Sequence, residues 1–228
     1  MNVAYTDRMS APFGVLGAGA QANEAIDFAA HRPLAFRAVT ADFLSSPGGD
    51  LIDIDTVDEG MLGIEVVAAV GDPRLRRMLV DRWRGSRFTS IIHSAAVVSP
   101  RAEVACGAII APTAVVSTDA NVGEHAIINI GASVSHDSHL GRYVTLSPGV
   151  RIAGECQIGD DVFFGVNASV LPRLRIVDGV IVGAGAVVID DLTEVGTYVG
   201  VPARRAEVHL AVHPPVTERR LTLAANTD

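Results

Sequence analysis

The sequence predicts a chain of mixed α/β plus β class. A small Rossmann-like parallel-sheet domain comes first and a parallel β-helix follows. Two observations predict it. Every sixth residue from Ile92 to Val188 is aliphatic or Phe, without a miss. A period of six fits neither the 3.6 of an α-helix nor the alternation of a strand, and it is the signature of hexapeptide coils. Ahead of that series, apolar extended runs alternate with helix-forming stretches, the pattern of a small parallel sheet.

The elements follow in order. Phe13-Gly-Val-Leu-Gly-Ala18 reads as a short strand ending in glycine. Gln21 to Ala30 carries helix formers, with Ala25, Ile26 and Phe28 toward one face. Leu34 to Thr40 reads as a second strand, and residues 44–60 as a surface loop with one short extended piece. Ile64 to Val70 is almost continuously apolar, as expected for a strand buried on both faces. Asp72 is placed to cap the next helix, with Pro73 at its first position.

The six-residue period takes over between Phe88 and His93 and runs for 17 hexads, between five and six coils at three hexads per coil. Two residues before each member from Val98 onward stands a second small or apolar residue, a series that runs from Ala96 to Ala186 and includes Ser138 and Cys156. Apolar side chains stack inside such a coil, with the small ones in its corners. Residues 18 apart then lie one above the other, about 4.8 Å away. The pattern ends at Glu194; Tyr198-Val-Gly-Val-Pro-Ala203 reads as an extended closing segment. The expected divisions are 1–90, 91–205 and a loosely held tail at 206–228.

Composition narrows the function. The net charge of −8 disfavours a nucleic-acid partner, which needs a basic surface. No apolar run approaches a membrane span, and the start MNVAYTDRMS has no signal-peptide pattern, so a cytoplasmic chain is expected. Cys106 and Cys156 suggest neither a disulfide framework nor a metal site. All 18 basic residues other than histidine are Arg, so neither a Schiff-base lysine nor a Walker-type lysine is available.

Five motifs carry a resemblance: Gly17-Ala-Gly-Ala-Gln21, Val70-Gly-Asp-Pro-Arg74, Asn129-Ile-Gly-Ala-Ser-Val-Ser-His-Asp137, Ala153-Gly154 and Val199-Gly-Val-Pro-Ala203. With the hexads they resemble the hexapeptide acyltransferases over roughly residues 12–205. The closer resemblance is to the sialic-acid O-acetyltransferase and bacterial nucleotide-amino-sugar N-acetyltransferase group. It implies a left-handed β-helix, a homotrimer, and acetyl-coenzyme A bound along the helix between subunits. On the cofactor side it implies Gly154, Ala184, Val201, Pro202, Ala203, Arg204 and Arg205.

His136 stands two residues past the inward Val134, which directs it outward at a corner, and Gly154 follows 18 residues later, one coil above. Position alone also fits a solvated histidine. The pair nevertheless offers what acyl transfer needs, a proton acceptor beside an unobstructed backbone N–H. The resemblance assigns general base to His136, oxyanion donor to Gly154, acidic partner to Asp137 and a substrate contact to Asn129. The chain departs from that group at Thr145, where a second histidine is common; His139 is differently placed. Amine versus hydroxyl acceptance therefore stays open.

Gly17-Ala-Gly-Ala-Gln-Ala22 after a strand resembles a dinucleotide fingerprint, although a plain strand-to-helix turn reads the same way. Asp42 ends the second strand where a ribose-binding acid would stand, and Gly71 and Asp72 close the same sheet edge. In the resembling group this pocket holds the nucleotide of a nucleotide-linked sugar. Gly17, Gly19, Gln21, Asp42, Gly71, Asp72 and Asn129 are the expected acceptor contacts, with Gln21 replacing a frequent histidine. His125, His136 and His139 lack the spacing of the zinc site found in some β-helices, so no metal is expected. The leading reading is acetyl transfer to the amino group of a nucleotide-linked sugar. The alternatives are sugar O-acetylation and a non-catalytic β-helix used for assembly; an NAD oxidoreductase lacks a catalytic domain.

Overall fold

A computed structural model describes residues 11–29, 31–44 and 51–206. Residues 1–10, Ala30, residues 45–50 of the expected loop and the expected tail beyond Ala206 lie outside the described residues. Four parallel strands form the N-terminal sheet: β1 (Phe13–Leu16), β2 (Leu34–Val39), β3 (Leu51–Asp53) and β4 (Glu65–Ala68), in the order β3-β2-β1-β4. Helix α1 (Ala20–Phe28) crosses from β1 to β2, the single turn α2 (Glu59–Leu62) precedes β4, and α3 (Pro73–Arg82) follows it. The loop expected at 44–60 thus supplies an edge strand and two short turns of helix as well. Asp72 caps α3, its carboxylate accepting from the N–H groups of Arg74 at 2.8 Å and Leu75 at 3.0 Å.

The sheet buries both faces, which explains its unbroken apolar runs. Leu16, Phe36, Ala38, Val66 and Ala68 pack on Leu79 and Trp83 from α3 and its end. Phe13, Val15, Val67 and Ala69 pack with Ala22 and Ala25 of α1 and with Ile91, Ile109 and Ile127 of the β-helix. Those three isoleucines point outward from the coils and are buried because the sheet domain covers them.

The β-helix is built from β5 (Ile91–Ile92) to β21 (Val187–Val188), each strand two residues long. They stack on three flanks. The first begins with β5 and β8 (Ile109–Ile110), the second with β6 (Val97–Val98) and the third with β7 (Glu103–Val104). Pairing joins residues 18 apart, such as Ile110 with Ile128 and Val116 with Val134. The inward series is buried from Ile110 to Val188. Ile92 departs from the expectation at 40 % exposed, because the first coil has a stacking partner on one side only. The second corner residue of each hexad from Gly107 to Gly185 takes a left-handed φ, five times as Gly and nine times as another residue, including His125, Asp137 and Tyr143. The repeating geometry imposes that conformation whatever the side chain.

The period does not stop at Glu194. The last coil omits two residues: Leu192 bridges to Ile176 and is buried, and Tyr198, six residues on, pairs with Val182. Strand β22 (Thr197–Val199) then turns into the antiparallel β23 (Arg204–Arg205). Among the described residues no helix is long and apolar enough to cross a membrane.

Polar contacts fix the sheet domain to the coils. The Arg76 guanidinium is fully buried; it donates to the carbonyls of Val70 at 2.5 Å and Tyr143 at 2.6 Å and to the Thr145 hydroxyl at 2.9 Å. Burial lowers its pKa to about 9. Arg77 makes a two-point ion pair with Asp161 at 3.0 and 2.6 Å and lies 4.2 Å over the Tyr143 ring. Tyr143 in turn stacks on His125 at 5.1 Å. Burial, helped by Arg76, lowers the His125 pKa to about 4.

Candidate active site

His136 is the first residue of the corner between the second and third flanks, after β12 (Ser133–Val134) and before β13 (His139–Leu140). Its ring is 54 % exposed, and Nδ1 lies 2.8 Å from Asp137 Oδ2. The left-handed φ of Asp137, +58°, follows from the hexad and holds that carboxylate beside the ring. A carboxylate only accepts, so Nδ1 carries the proton and Nε2 presents its lone pair outward. Gly154 lies beneath the ring: a Cβ built on it would stand 2.6 Å from Cε1 and 2.7 Å from Nε2. Among the described residues the Gly154 N–H has no acceptor, whereas the N–H groups of Arg142 and Asp160, at like positions of another corner, donate to aspartates one coil above. A proton acceptor and a free N–H donor therefore share one edge.

The acceptor candidates gather at the carboxyl ends of β1, β2 and β4 and at a different corner. Gly17 has φ +139°, and a side chain there would meet the Ala69 carbonyl at 2.7 Å. Gly19 caps α1 without a side-chain bond and faces open space. Gln21 reaches the β-helix: its Oε1 accepts from Asn129 Nδ2 at 3.3 Å. Asn129 is buried and its own Oδ1 accepts from the Ile130 N–H at 2.9 Å, which fixes the amide orientation. Asp42 is exposed in the helical turn after β2.

Asp72, an expected acceptor contact, accepts through its Oδ1 from the two N–H groups it caps. Thr145, which stands where a second histidine is common in the resembling group, is 2 % exposed, donating to the Gly71 carbonyl at 2.8 Å and accepting from Arg76. Arg76 carried no signal within the run Arg74-Leu-Arg-Arg77, since one arginine among three does not announce burial.

The cofactor candidates divide between edges. Gly154 lies in the His136 corner. Ala184 is exposed in the same corner column as Ile130, 54 residues later, and Val201 is 73 % exposed in the turn after β22. Pro202 follows a cis peptide bond, and the Ala203 N–H donates to the Val187 carbonyl at 2.8 Å. Arg204 approaches Asp190 at 3.6 Å, in the same corner column as His136 and Gly154, and Arg205 pairs with Glu194 at 3.0 Å. Asn129 immediately precedes the corner of Ile130 and His136 begins the next corner of the same coil; the second flank separates them, on the order of 20 Å of extended chain. No group of His, Cys, Asp and Glu among the described residues is arranged to hold a metal.

No family model and no curated protein matches the chain. Solved structures do. PerB from Caulobacter crescentus, in complex with CoA and GDP-perosamine, is 32 % identical, with 86 % of this chain and 97 % of that chain covered and a TM-score of 0.74. The acetyltransferase domain of PglB from Neisseria gonorrhoeae FA1090, in complex with acetyl coenzyme A, is 27 % identical, covering 86 % and 100 % of the two chains at a TM-score of 0.74. WeeI from Acinetobacter baumannii AYE, at 22 % identity, 86 % and 100 % coverage and a TM-score of 0.74, shares the fold. The fold is the left-handed β-helix of these proteins, and the chain belongs to the family of hexapeptide-repeat sugar N-acetyltransferases.

Proposed function

We propose that this enzyme, an acyltransferase, takes an acetyl group from acetyl-CoA and transfers it directly to the amino group of a nucleotide-linked amino sugar. The observation that carries the reading is the His136 ring, tied through Nδ1 to Asp137 and lying over Gly154. His136 Nε2 accepts a proton from the acceptor amine as its nitrogen attacks the thioester carbonyl carbon. The Gly154 N–H donates to the oxygen as it gains charge. The C–N bond forms, the C–S bond breaks, and the thiolate takes the proton from the imidazolium. Asp137 holds the ring in the tautomer that leaves Nε2 basic. No acyl-enzyme is needed.

The α/β domain is the acceptor half. The open Gly19 turn lies at the amino end of α1, which has no acidic residue in its first turn and so suits a diphosphate. The complexes of PerB with CoA and GDP-perosamine support a nucleotide-linked acceptor. Asn129 with Gln21 on one edge and His136 on the next favour a site completed by two chains, hence a homotrimer. The test is thiol release from acetyl-CoA across a panel of amino-sugar and hydroxy-sugar nucleotides. An amino-sugar nucleotide should be the best acceptor, and His136→Ala should lower kcat by about 10²–10⁴-fold in a folded protein. Preference for a hydroxyl acceptor would favour O-acetylation, and normal turnover by the variant would remove His136 from the chemistry.

A further inference from the structure

The small inward series runs from Ala96 to Ala186, and only Ser138 and Cys156 in it carry a heteroatom side chain. They are 18 residues apart and lie one above the other inside the His136–Gly154 edge. Ser138 is completely buried. Its Oγ donates to the Ala153 carbonyl at 2.7 Å and accepts from the Cys156 N–H at 3.0 Å. Those two groups flank Gly154 and are the partners that would close its corner.

Some corners close in that way, and others, among them 135–138 and 141–144, stay open with only an alanine beneath them. In the two coils below on the same edge the series carries Ala, and the N–H groups of Ala102 and Ala120 donate to the carbonyls of Ser99 at 3.0 Å and Ser117 at 3.3 Å. The corner that carries Asn129 closes likewise, Ala132 N–H to the Asn129 carbonyl at 3.0 Å. At Gly154 the serine hydroxyl stands between the two groups. Cys156 repeats the device one coil higher: its thiol donates to the Leu171 carbonyl at 3.2 Å. Burial raises the pKa of that thiol and keeps it a donor.

We infer that Ser138 is a positioning residue: by bonding both groups that flank Gly154 it fixes that corner and sets the direction of the Gly154 N–H beneath His136. Ser138 reaches no surface and touches no substrate. It acts on the peptide that bears the oxyanion donor, so this inference rests on the proposed acetyl transfer.

The test replaces Ser138 with Ala and with Cys. Alanine fills the equivalent position at 102 and 120, so the fold accepts it. Ser138→Ala should lower kcat about 10- to 100-fold, less than outright loss of an oxyanion donor. KM for both substrates should stay within about twofold, and the acidic limb of the pH–rate profile should not move, because the His136–Asp137 pair is untouched. Ser138→Cys keeps a donor and acceptor at the bridge, as Cys156 does above it, and should restore most of kcat. A crystal structure of Ser138→Ala should show the Gly154 peptide rotated. That readout is independent of turnover, so a wild-type chain without acetyltransferase activity would count against the proposed function alone. An unchanged Gly154 peptide in Ser138→Ala, unchanged kcat in that variant, or equal loss in the Ala and Cys variants would overturn the inference.

Discussion

Replacing Gly154 with Ala puts one methyl group where the His136 ring now lies. The new Cβ would stand 2.6 Å from Cε1 and 2.7 Å from Nε2, whereas carbon atoms in favourable contact stand about 3.5–4.0 Å apart. The ring is the movable partner, since it is a half-exposed side chain held mainly by Asp137. It must retreat by about 1 Å, a displacement that can cost on the order of 10²-fold in rate, or about 2.7 kcal/mol of transition-state stabilisation. The Gly154 backbone does not require a left-handed φ, so the variant should fold with an unchanged melting temperature. Thiol release at saturating acetyl-CoA and acceptor should show the loss in kcat. Placing the substitution in a His136→Ala background separates causes. If alanine acts only by displacing the ring, it should cost nothing further there. Wild-type kcat in Gly154→Ala, or the same loss without the imidazole, would refute the reasoning.

A Cβ at Gly19 meets no atom within 4 Å, unlike one at the strained Gly17, so Gly19→Val should fold, raise the acceptor KM by at least about tenfold and leave the acetyl-CoA KM unchanged. Equal turnover of free and nucleotide-linked sugar would show that the turn binds something else. Sedimentation should give a trimer, and at an acceptor concentration well below the Gly19→Val KM, mixed trimers of His136→Ala and Gly19→Val subunits should turn over faster than either variant alone; an active monomer, or no gain on mixing, would rule out a shared site. His125 has an ordinary value of 6.5 and a folded value of about 4, so between these pH values the unfolded chain binds more protons. Its stabilising contribution is therefore present above pH 6.5 and lost as pH falls toward 4, by up to roughly 3 kcal/mol. His125→Phe should flatten that part of a urea-midpoint profile, and an unchanged slope would place the acid sensitivity elsewhere.

Periodic features were legible in the sequence because geometry repeats with them. The inward series, the one-coil spacing of His136 and Gly154, and the outward direction of His136 all follow from counting. The docking of the sheet domain was present but unread: Ile91-Ile92, Ile109-Ile110 and Ile127-Ile128 double the aliphatic residue on one flank at 18-residue spacing. A coil with a solvated exterior needs only the inward member of each pair. The final coil misled because the pattern was tested at fixed phase; Leu192 and Tyr198 continue it after a two-residue omission. Arg76 was not legible at all. Its burial depends on a contact with coil residues 143–145, about 70 positions away, and no local periodicity encodes such a partner.

Thr145 shows how a departure from a familiar pattern can change meaning once contacts are known. Read by position, the missing histidine suggested a changed acceptor contact and left amine against hydroxyl chemistry open. In the fold, Thr145 bridges Gly71 and Arg76 beneath the acceptor domain and is closed to solvent. The substitution therefore bears on how the loop at Gly71 is held, while the His136 ring, the Asp137 carboxylate bonded to it and Gly154 beneath it stay together on another edge. On the proposed acetyl transfer, the choice of acceptor falls to the open turn at Gly19 and the Gln21–Asn129 contact. The acyl-transfer corner accommodates either nucleophile, because a general base beside an oxyanion donor serves an amine and a hydroxyl alike.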